Sequence, residues 1–135
     1  PGMSILDLGA GSGILSIAAI NLGAKKVDAV EFDSDCESNF NENLQLNNLG
    51  AIIQFHNHDV LVWNNFDYDI ILANINRNVI EGLIPKFKGT KANVILSGLL
   101  KTDYETIEQI CLKQNFQVKE KIIKGEWICI KIFAL

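Results

Sequence analysis

A strand that runs through a glycine-rich turn directly into a helix opens this chain and limits the folds available to it. Residues 5–19 read ILDLGAGSGILSIAA: an apolar run, then Gly9, Gly11 and Gly13, then a segment rich in alanine and isoleucine. Glycines at alternate positions let the backbone adopt conformations that a side chain would forbid. In an open α/β sheet, ligands bind at the carboxyl ends of the strands. We therefore expect a ligand site at this turn.

The rest of the sequence alternates between strand and helix patterns. Near-continuous apolar runs such as ILDL and IILA indicate strands that are buried on both faces, as in a parallel sheet. Ser34 with Glu37, and Thr102 with Glu105, have the spacing of capping boxes at helix starts. The pattern predicts five β-α units and a hairpin near Gly125, in a mostly parallel sheet with helices on both faces. The predicted strands are 4–9, 26–32, 51–57, 68–74, 93–98, 116–124 and 126–133, and the predicted helices are 14–22, 34–47, 79–87 and 102–114.

Size, charge and cysteine usage restrict the class of protein. With 135 residues the chain is long enough for one domain and too short for two. A net charge of −4 argues against nucleic-acid binding, and no apolar run reaches the length of a membrane span. Three scattered cysteines are typical of buried thiols in a reducing compartment. We expect one cytoplasmic domain over residues 1–135, with neither nucleic acid nor membrane as a partner and with Trp127 in its core.

The spacing around the glycines discriminates between cofactors. A dinucleotide-binding turn needs a glycine where this chain has Ile14, and the lysine of a phosphate-binding loop is also missing. Asp7 precedes the turn, and a carboxylate there would repel a pyrophosphate. The same carboxylate would attract the ammonium and sulfonium groups of S-adenosylmethionine, directly or through water. These features favour S-adenosylmethionine over NAD or ATP.

Further acceptors follow the next two predicted strands. Glu31 ends the second strand, where a carboxylate can accept hydrogen bonds from both ribose hydroxyls. Asp59 follows the third strand and could accept from the adenine amine, with Val60 beside it. Asp7, Glu31 and Asp59 would then lie at three successive strand ends. Together with Gly9, Gly11 and Gly13, they predict one cofactor pocket.

These motifs resemble those of class I S-adenosylmethionine-dependent methyltransferases. The segments LANI (72–75), VILSGLL (94–100) and GEWICIKI (125–132) narrow the resemblance to the catalytic domain of the ribosomal protein L11 methyltransferase (PrmA) family, over essentially the whole chain. The resemblance implies a Rossmann-like three-layer sandwich. Its seven-stranded sheet would carry a C-terminal antiparallel hairpin, with the last strand inserted between the fifth and the sixth. It also implies methyl transfer to amines of ribosomal protein L11, namely lysine side chains or the N-terminus, with S-adenosylhomocysteine as product.

Asn74 is the residue that we expect at the methyl acceptor. It ends the fourth predicted strand, where it would contact the cofactor near its methyl group. Its side-chain carbonyl, with the backbone carbonyl of Ala73 or Ile75, could accept hydrogen bonds from an amine and aim its lone pair. Methyltransferases of base amino groups or glutamine amides usually have two prolines and an aromatic residue next, whereas this chain continues with Ile75, Asn76 and Arg77. The sequence therefore favours a protein amine as acceptor.

Three alternatives remain at this point. The chain could methylate another protein or a small molecule, or it could be a cofactor-binding module without catalysis, including a nicotinamide binder. We expect no metal site, because His56 and His58 have no third ligand at convincing spacing. The resembling family has an N-terminal substrate-recognition domain and a segment before the first strand that closes over the cofactor. Neither is in this sequence, so we expect a fragment with weak cofactor binding and slow methylation, of unknown oligomeric state.

Overall fold

A seven-stranded sheet with helices on both faces forms the protein, and the computed structural model describes residues 1–49 and 52–135. The strands are β1 (Ser4–Leu8), β2 (Lys26–Val30), β3 (Ile53–His56), β4 (Ile70–Asn74), β5 (Asn93–Leu100), β6 (Phe116–Lys124) and β7 (Trp127–Ala134). The α-helices are α1 (Ile14–Asn21), α2 (Asp35–Leu46), α3 (Arg77–Leu83) and α4 (Tyr104–Lys113), and two 3-10 helices cover Ile84–Phe87 and Lys101–Asp103.

The strand order places the ends of β1 and β4 side by side. The order is β3-β2-β1-β4-β5-β7-β6, with β1 to β5 parallel and β7 antiparallel to both β5 and β6. The predicted fold, including insertion of the last strand between the fifth and the sixth, is confirmed. The chain builds β2 and β3 on one side of β1 and then crosses to the other side. The crevice at this reversal lies at the carboxyl ends of β1 and β4.

Alternating strand residues form two hydrophobic cores, one on each face of the sheet. On one face Ile5 and Val27 pack with Phe40 and Leu44 of α2 and with part of α1. On the other face Leu6, Leu8 and the odd-numbered residues of β4 pack with α3, α4 and the first 3-10 helix. Burying both faces excludes water from the central strands, so β1 and β4 are largely apolar, whereas β6 is mostly exposed and carries four charged residues: Lys119, Glu120, Lys121 and Lys124. The molecule therefore has the three layers that the sequence predicts.

Two helix starts differ in detail from the predicted capping boxes. The hydroxyl of Ser34 makes no capping hydrogen bond; the side chain of Asp33 accepts the backbone N–H of Asp35 at 2.9 Å instead. Before α4, the side chain of Asp103 accepts the backbone N–H of Leu100 at 2.9 Å. In both places an aspartate beside the predicted residue is the acceptor, because ionised carboxylates are stronger acceptors than hydroxyls.

The prediction of five β-α units was wrong by one: only four helices were predicted, and no helix joins β3 to β4 among the described residues 57–69. The strand β3 ends at His56, one residue before its predicted end at Asn57. The side chain of Asn57 instead donates hydrogen bonds from Nδ2 to the carbonyls of Glu31 and Phe32, both at 3.1 Å. Ala51, at the predicted start of this strand, lies outside the described residues. The connection instead packs its Trp63 ring against His56, with the ring centroids 4.9 Å apart.

The expectation for Trp127 was also wrong, because its side chain is 58% exposed. Along β7 the buried residues are Ile128, Ile130 and Ile132, and the period of two places Trp127 on the opposite face.

No helix in the described part of the chain is both long and apolar enough to cross a membrane.

Candidate active site

Left-handed backbone at three glycines shapes the turn between β1 and α1. The φ angles are +74° at Gly9, +56° at Gly11 and +90° at Gly13, a region that other residues rarely occupy. A Cβ on Gly9 would collide with Cγ2 of Ile75, and a Cβ on Gly13 would lie 2.8 Å from the ring of Phe40. The first and third glycines are therefore required by close packing as well as by backbone conformation.

Glu31 ties the end of β2 to this turn. One carboxylate oxygen accepts the backbone N–H of Gly11 at 3.0 Å, and the other accepts the N–H of Asp33 at 3.0 Å. A carboxylate oxygen has two acceptor positions, so each oxygen retains one for a ligand hydroxyl. The side chain is thus fixed in direction while part of its accepting capacity stays available.

A cavity of about 300 Å³ lies beside the turn and brings together four of the predicted cofactor residues. The Oδ1 of Asp59 accepts a hydrogen bond of 2.9 Å from the backbone N–H of Leu61, which orients this carboxylate in the loop after β3. Gly11 and Gly13 belong to the adjoining turn but are not among the lining residues. The cavity is lined by Gly9, Glu31, Phe32, Asp59, Val60, Ile75, Asn76 and Val79.

Asp7 lies beneath the turn and is 1% exposed. Its Oδ2 accepts a hydrogen bond of 2.7 Å from the hydroxyl of Ser16 in α1, whereas its Oδ1 has no partner among the described residues. Burial raises the pKa of Asp7 to about 6, against the lowering effect of the bonds from Ser16. The carboxylate is therefore a buried, incompletely bonded negative charge that a nearby cation would stabilise.

Asn74 ends β4 and lies on a second cavity, of about 610 Å³. Its partner in the β4–β5 register is Ser97, next to Gly98. The exposed side chain of Trp127 also lines this cavity, although the sequence did not predict it at a site. The cavity is lined by Asn74, Ile75, Asn76, Ser97, Gly98, Ile122, Lys124, Trp127, Ile128 and Cys129.

Ile75 and Asn76 line both cavities, although the sequence did not single them out for this. Asn76 caps α3, with its Oδ1 accepting the N–H of Val79 at 3.1 Å. Ile75 lies between the end of β4 and this cap and packs onto Gly9. The sequence does contain one signal for this arrangement. Asn76 is a favourable N-cap residue three positions before Val79, so the chain must leave β4 just before it.

Asp28, in β2, is the buried centre of a polar cluster on the end strands of the sheet. It accepts hydrogen bonds from Tyr68 at 2.7 Å and pairs with His56 Nε2 at 2.9 Å and Lys26 Nζ at 3.3 Å. Burial acts to raise the pKa of Asp28, but these three partners outweigh it and lower the pKa. No group of three or more histidine, cysteine or acidic side chains in residues 1–49 and 52–135 is arranged to hold a metal ion.

Comparison with known proteins identifies the family. The family model for ribosomal protein L11 methyltransferase (PrmA) matches residues 1–134. The ribosomal protein L11 methyltransferase of Heliobacterium modesticaldum is 36% identical over 129 residues, which cover 93% of this chain and 41% of that protein. The chain thus spans less than half the length of this curated relative.

Solved structures agree in fold. The ribosomal protein L11 methylase of Lactobacillus delbrueckii subsp. bulgaricus superposes with a TM-score of 0.93 at 32% identity, over 99% of this chain and 71% of that one. Magnesium protoporphyrin IX methyltransferase of Synechocystis PCC 6803, solved with bound SAM, shares the fold with a TM-score of 0.82 at 16% identity, over 100% of this chain and 71% of that one. With a matching fold, matching motifs and a family model that spans the chain, this protein belongs to the ribosomal protein L11 methyltransferase (PrmA) family.

Proposed function

We propose that residues 1–135 are a methyltransferase domain that binds S-adenosylmethionine in the cavity beside the glycine turn. Glu31 would accept from the ribose hydroxyls and Asp59 from the adenine amine, against Val60. The backbone of Gly9, Gly11 and Gly13 would pass along the methionine part of the cofactor. The lining of the cavity supports this proposal, because it includes two carboxylates that can accept hydrogen bonds and the ligand carries hydroxyl and amine donors.

Asp7 would supply the negative charge beneath the cationic end of the cofactor. Its Oδ1 has no partner in the described part of the protein, and the side chain is buried. An uncompensated buried carboxylate is unfavourable, and a neighbouring ammonium or sulfonium would stabilise its ionised form. We expect this effect to act directly or through a water molecule.

Asn74 is the proposed catalytic residue, and it would also contact the cofactor. Its carboxamide oxygen and the backbone carbonyl of Ile75 can accept hydrogen bonds from an amine in the second cavity. Once the amine has lost a proton to water, these acceptors direct its lone pair toward the methyl group. Bound S-adenosylmethionine supplies that methyl: the nitrogen–carbon bond forms, the carbon–sulfur bond breaks, and the electron pair stays on sulfur. Positioning is the main contribution of the protein to such an in-line displacement.

A single relationship carries the proposal: Ile75 and Asn76 line both cavities. The two cavities therefore share a wall at the end of β4, formed by the two residues that follow Asn74. A methyl donor in one and an amine in the other would face each other there. A protein that only stored a nucleotide would not need the second cavity.

We propose ribosomal protein L11 as the acceptor and the cytoplasm as the location. The family assignment and the relatives' names support this acceptor. The three cysteines, Cys36, Cys111 and Cys129, are free thiols, as expected in a reducing compartment.

Transfer of a labelled methyl group from S-adenosylmethionine to purified ribosomal protein L11 tests the function. We expect labelling of lysine or N-terminal amines by this chain. Asn74→Ala should lose about 10- to 100-fold in turnover, with a smaller loss of S-adenosylhomocysteine affinity because Asn74 would also contact the cofactor. Full activity of Asn74→Ala would refute its orienting role. Binding of S-adenosylhomocysteine without transfer to any amine would make the chain a cofactor-binding module, and labelling of other proteins alone would change the acceptor.

A further inference from the structure

We propose that Gly98 is a positioning residue of the methyl-acceptor site, because it fixes the places of the Asn74 carboxamide and the Ile75 carbonyl. The inference rests on the proposed function, which makes those two oxygens the acceptors for the amine. Gly98 lines the second cavity but has no side chain with which to bind the amine or the cofactor. It would act only through the residues at the end of β4.

A bulge in β5 brings Gly98 to this position. The pairing of β5 with β7 shifts its register between Leu96 and Leu99, so the two residues between them leave the regular ladder. Gly98 there has a φ of +78°, in the left-handed region. A bulge bends its strand and redirects the local backbone. Here it turns the backbone at Gly98 toward the neighbouring end of β4.

The approach of Gly98 to β4 leaves room for a hydrogen atom only. A Cβ at this position would lie 2.8 Å from the carbonyl oxygen of Ile75, 2.9 Å from Oδ1 of Asn74 and 3.2 Å from the backbone nitrogen of Ile75. These distances are shorter than ordinary contacts between non-bonded atoms, so either the added carbon or its neighbours would have to move. Any side chain at position 98 would therefore displace both proposed acceptors, or the bulge would move away from them.

The displacement should affect transfer more than cofactor binding. Gly98, Asn74 and the carbonyl of Ile75 lie around the second cavity, and Gly98 does not line the cavity that holds Glu31 and Asp59. A shift of about 1 Å in a positioning group can cost on the order of 100-fold in rate. We expect that loss in the turnover number of Gly98→Ala, with an S-adenosylhomocysteine affinity within about threefold of the wild type.

Gly89 provides a matched control. Its φ of +89° is as strained for alanine as that of Gly98, but a Cβ there would meet no atom within 4 Å. Gly89→Ala therefore introduces the backbone strain without the contact. We expect Gly89→Ala to lose turnover by less than about twofold. Equal turnover in Gly98→Ala and Gly89→Ala would overturn the inference, because the close approach would then have no effect.

The decisive experiment is a double-mutant cycle between Gly98→Ala and Asn74→Ala. If the alanine acts through the Asn74 carboxamide, adding Gly98→Ala to Asn74→Ala lowers turnover by much less than it does in the wild type. If Gly98→Ala lowers turnover by the same factor in the wild type and in Asn74→Ala, the inference is overturned. A fall in S-adenosylhomocysteine affinity as large as the fall in turnover would also overturn it, because the effect would not be confined to the acceptor side.

A stability cycle keeps the inference testable if the proposed function fails. Absence of methyl transfer by the wild type would refute the function alone. The melting temperatures of the four proteins of the cycle, with Gly89→Ala as a fifth, would then decide the role of Gly98. We expect Gly98→Ala to have a lower melting temperature than Gly89→Ala. We also expect Gly98→Ala to lower the melting temperature by less in the Asn74→Ala background than in the wild type. Equal falls in melting temperature in the two backgrounds would overturn the inference. If Gly98→Ala does not fold, a nuclear Overhauser contact between the Gly98 α-protons and the Asn74 side-chain amide of the wild type supports it, and absence of that contact overturns it.

Discussion

The hydroxyl of Ser16 donates a 2.7 Å hydrogen bond to Oδ2 of Asp7, where the carboxylate is almost completely buried. The bond joins β1 to the helix that follows the glycine turn, so it fixes the two sides of the turn relative to each other. It does not offset burial fully, and the pKa of Asp7 is raised from 3.8 to about 6. The residue that we place beneath the cationic end of the cofactor is therefore held at a cost to stability.

The Asp7→Asn substitution should increase stability, relative to the wild type, more at neutral pH than at acid pH. The folded protein binds the Asp7 proton more tightly than the unfolded chain, so this group reduces stability as pH rises from about 4 to above about 6. The change in pKa corresponds to on the order of 3 kcal/mol. The unfolding free energy of Asp7→Asn minus that of the wild type should therefore increase between pH 4 and pH 8. Urea unfolding across this range measures it.

The exposed Asp67 supplies a comparison for Asp7. Asp67→Asn removes a carboxylate at the surface, so its difference from the wild type should change far less over the same pH range. Asp7→Asn should also bind S-adenosylmethionine more weakly, because the negative charge is lost. A pH-independent difference for Asp7→Asn would show that the carboxylate is not held in the buried, unfavourable state.

Glu31→Ala should weaken S-adenosylhomocysteine binding. It removes the proposed ribose acceptor and also frees the N–H groups of Gly11 and Asp33 that Glu31 now holds. Hydrogen bonds to charged groups predict a loss of about 10- to 100-fold in affinity. Calorimetry provides the measurement, with Glu37→Ala, an exposed carboxylate in the first turn of α2, as control. If both variants bind like the wild type, the cofactor does not lie against Glu31.

Tyr68→Phe should destabilise the fold by about 1–3 kcal/mol, because Asp28 would lose one of its buried hydrogen-bond donors. Tyr104→Phe is a matched control: that hydroxyl donates at 2.7 Å to Glu108 on the same helix, in a less buried place. We expect less than about 0.5 kcal/mol there. Equal losses in urea unfolding would mean that the Asp28 cluster contributes nothing particular to stability.

The sequence predicted the features that depend on local pattern and on chain order. Apolar runs separated by capped helices gave the parallel sheet, and the glycine turn after β1 marked the crevice at which the strand order reverses. Gly9, Glu31, Asp59 and Val60 meet around one cavity because each follows or ends a neighbouring strand. Parallel strands bring their carboxyl ends to one edge of a sheet, so spacing along the chain was sufficient to group them.

The features that sequence reasoning missed depend on contacts between distant segments. Trp127 alternates with buried isoleucines, and only the placement of β7 beside β5 determines which face is exposed. For Ile75 the sequence suggested only a backbone carbonyl that could accept from the amine; its packing on Gly9 and its place on both cavities depend on contacts with distant segments. The bulge at Gly98 has no local signal that distinguishes it from a helix-ending or turn glycine.

Calorimetric titration of this chain with S-adenosylhomocysteine, and separately with NAD, tests the central claim most directly. We predict that S-adenosylhomocysteine binds at a single site, weakly in this chain, that Glu31→Ala reduces the affinity, and that NAD gives no binding heat. Binding of NAD without binding of S-adenosylhomocysteine would contradict the assignment of the glycine turn and of the cavity beside it to a methyl donor.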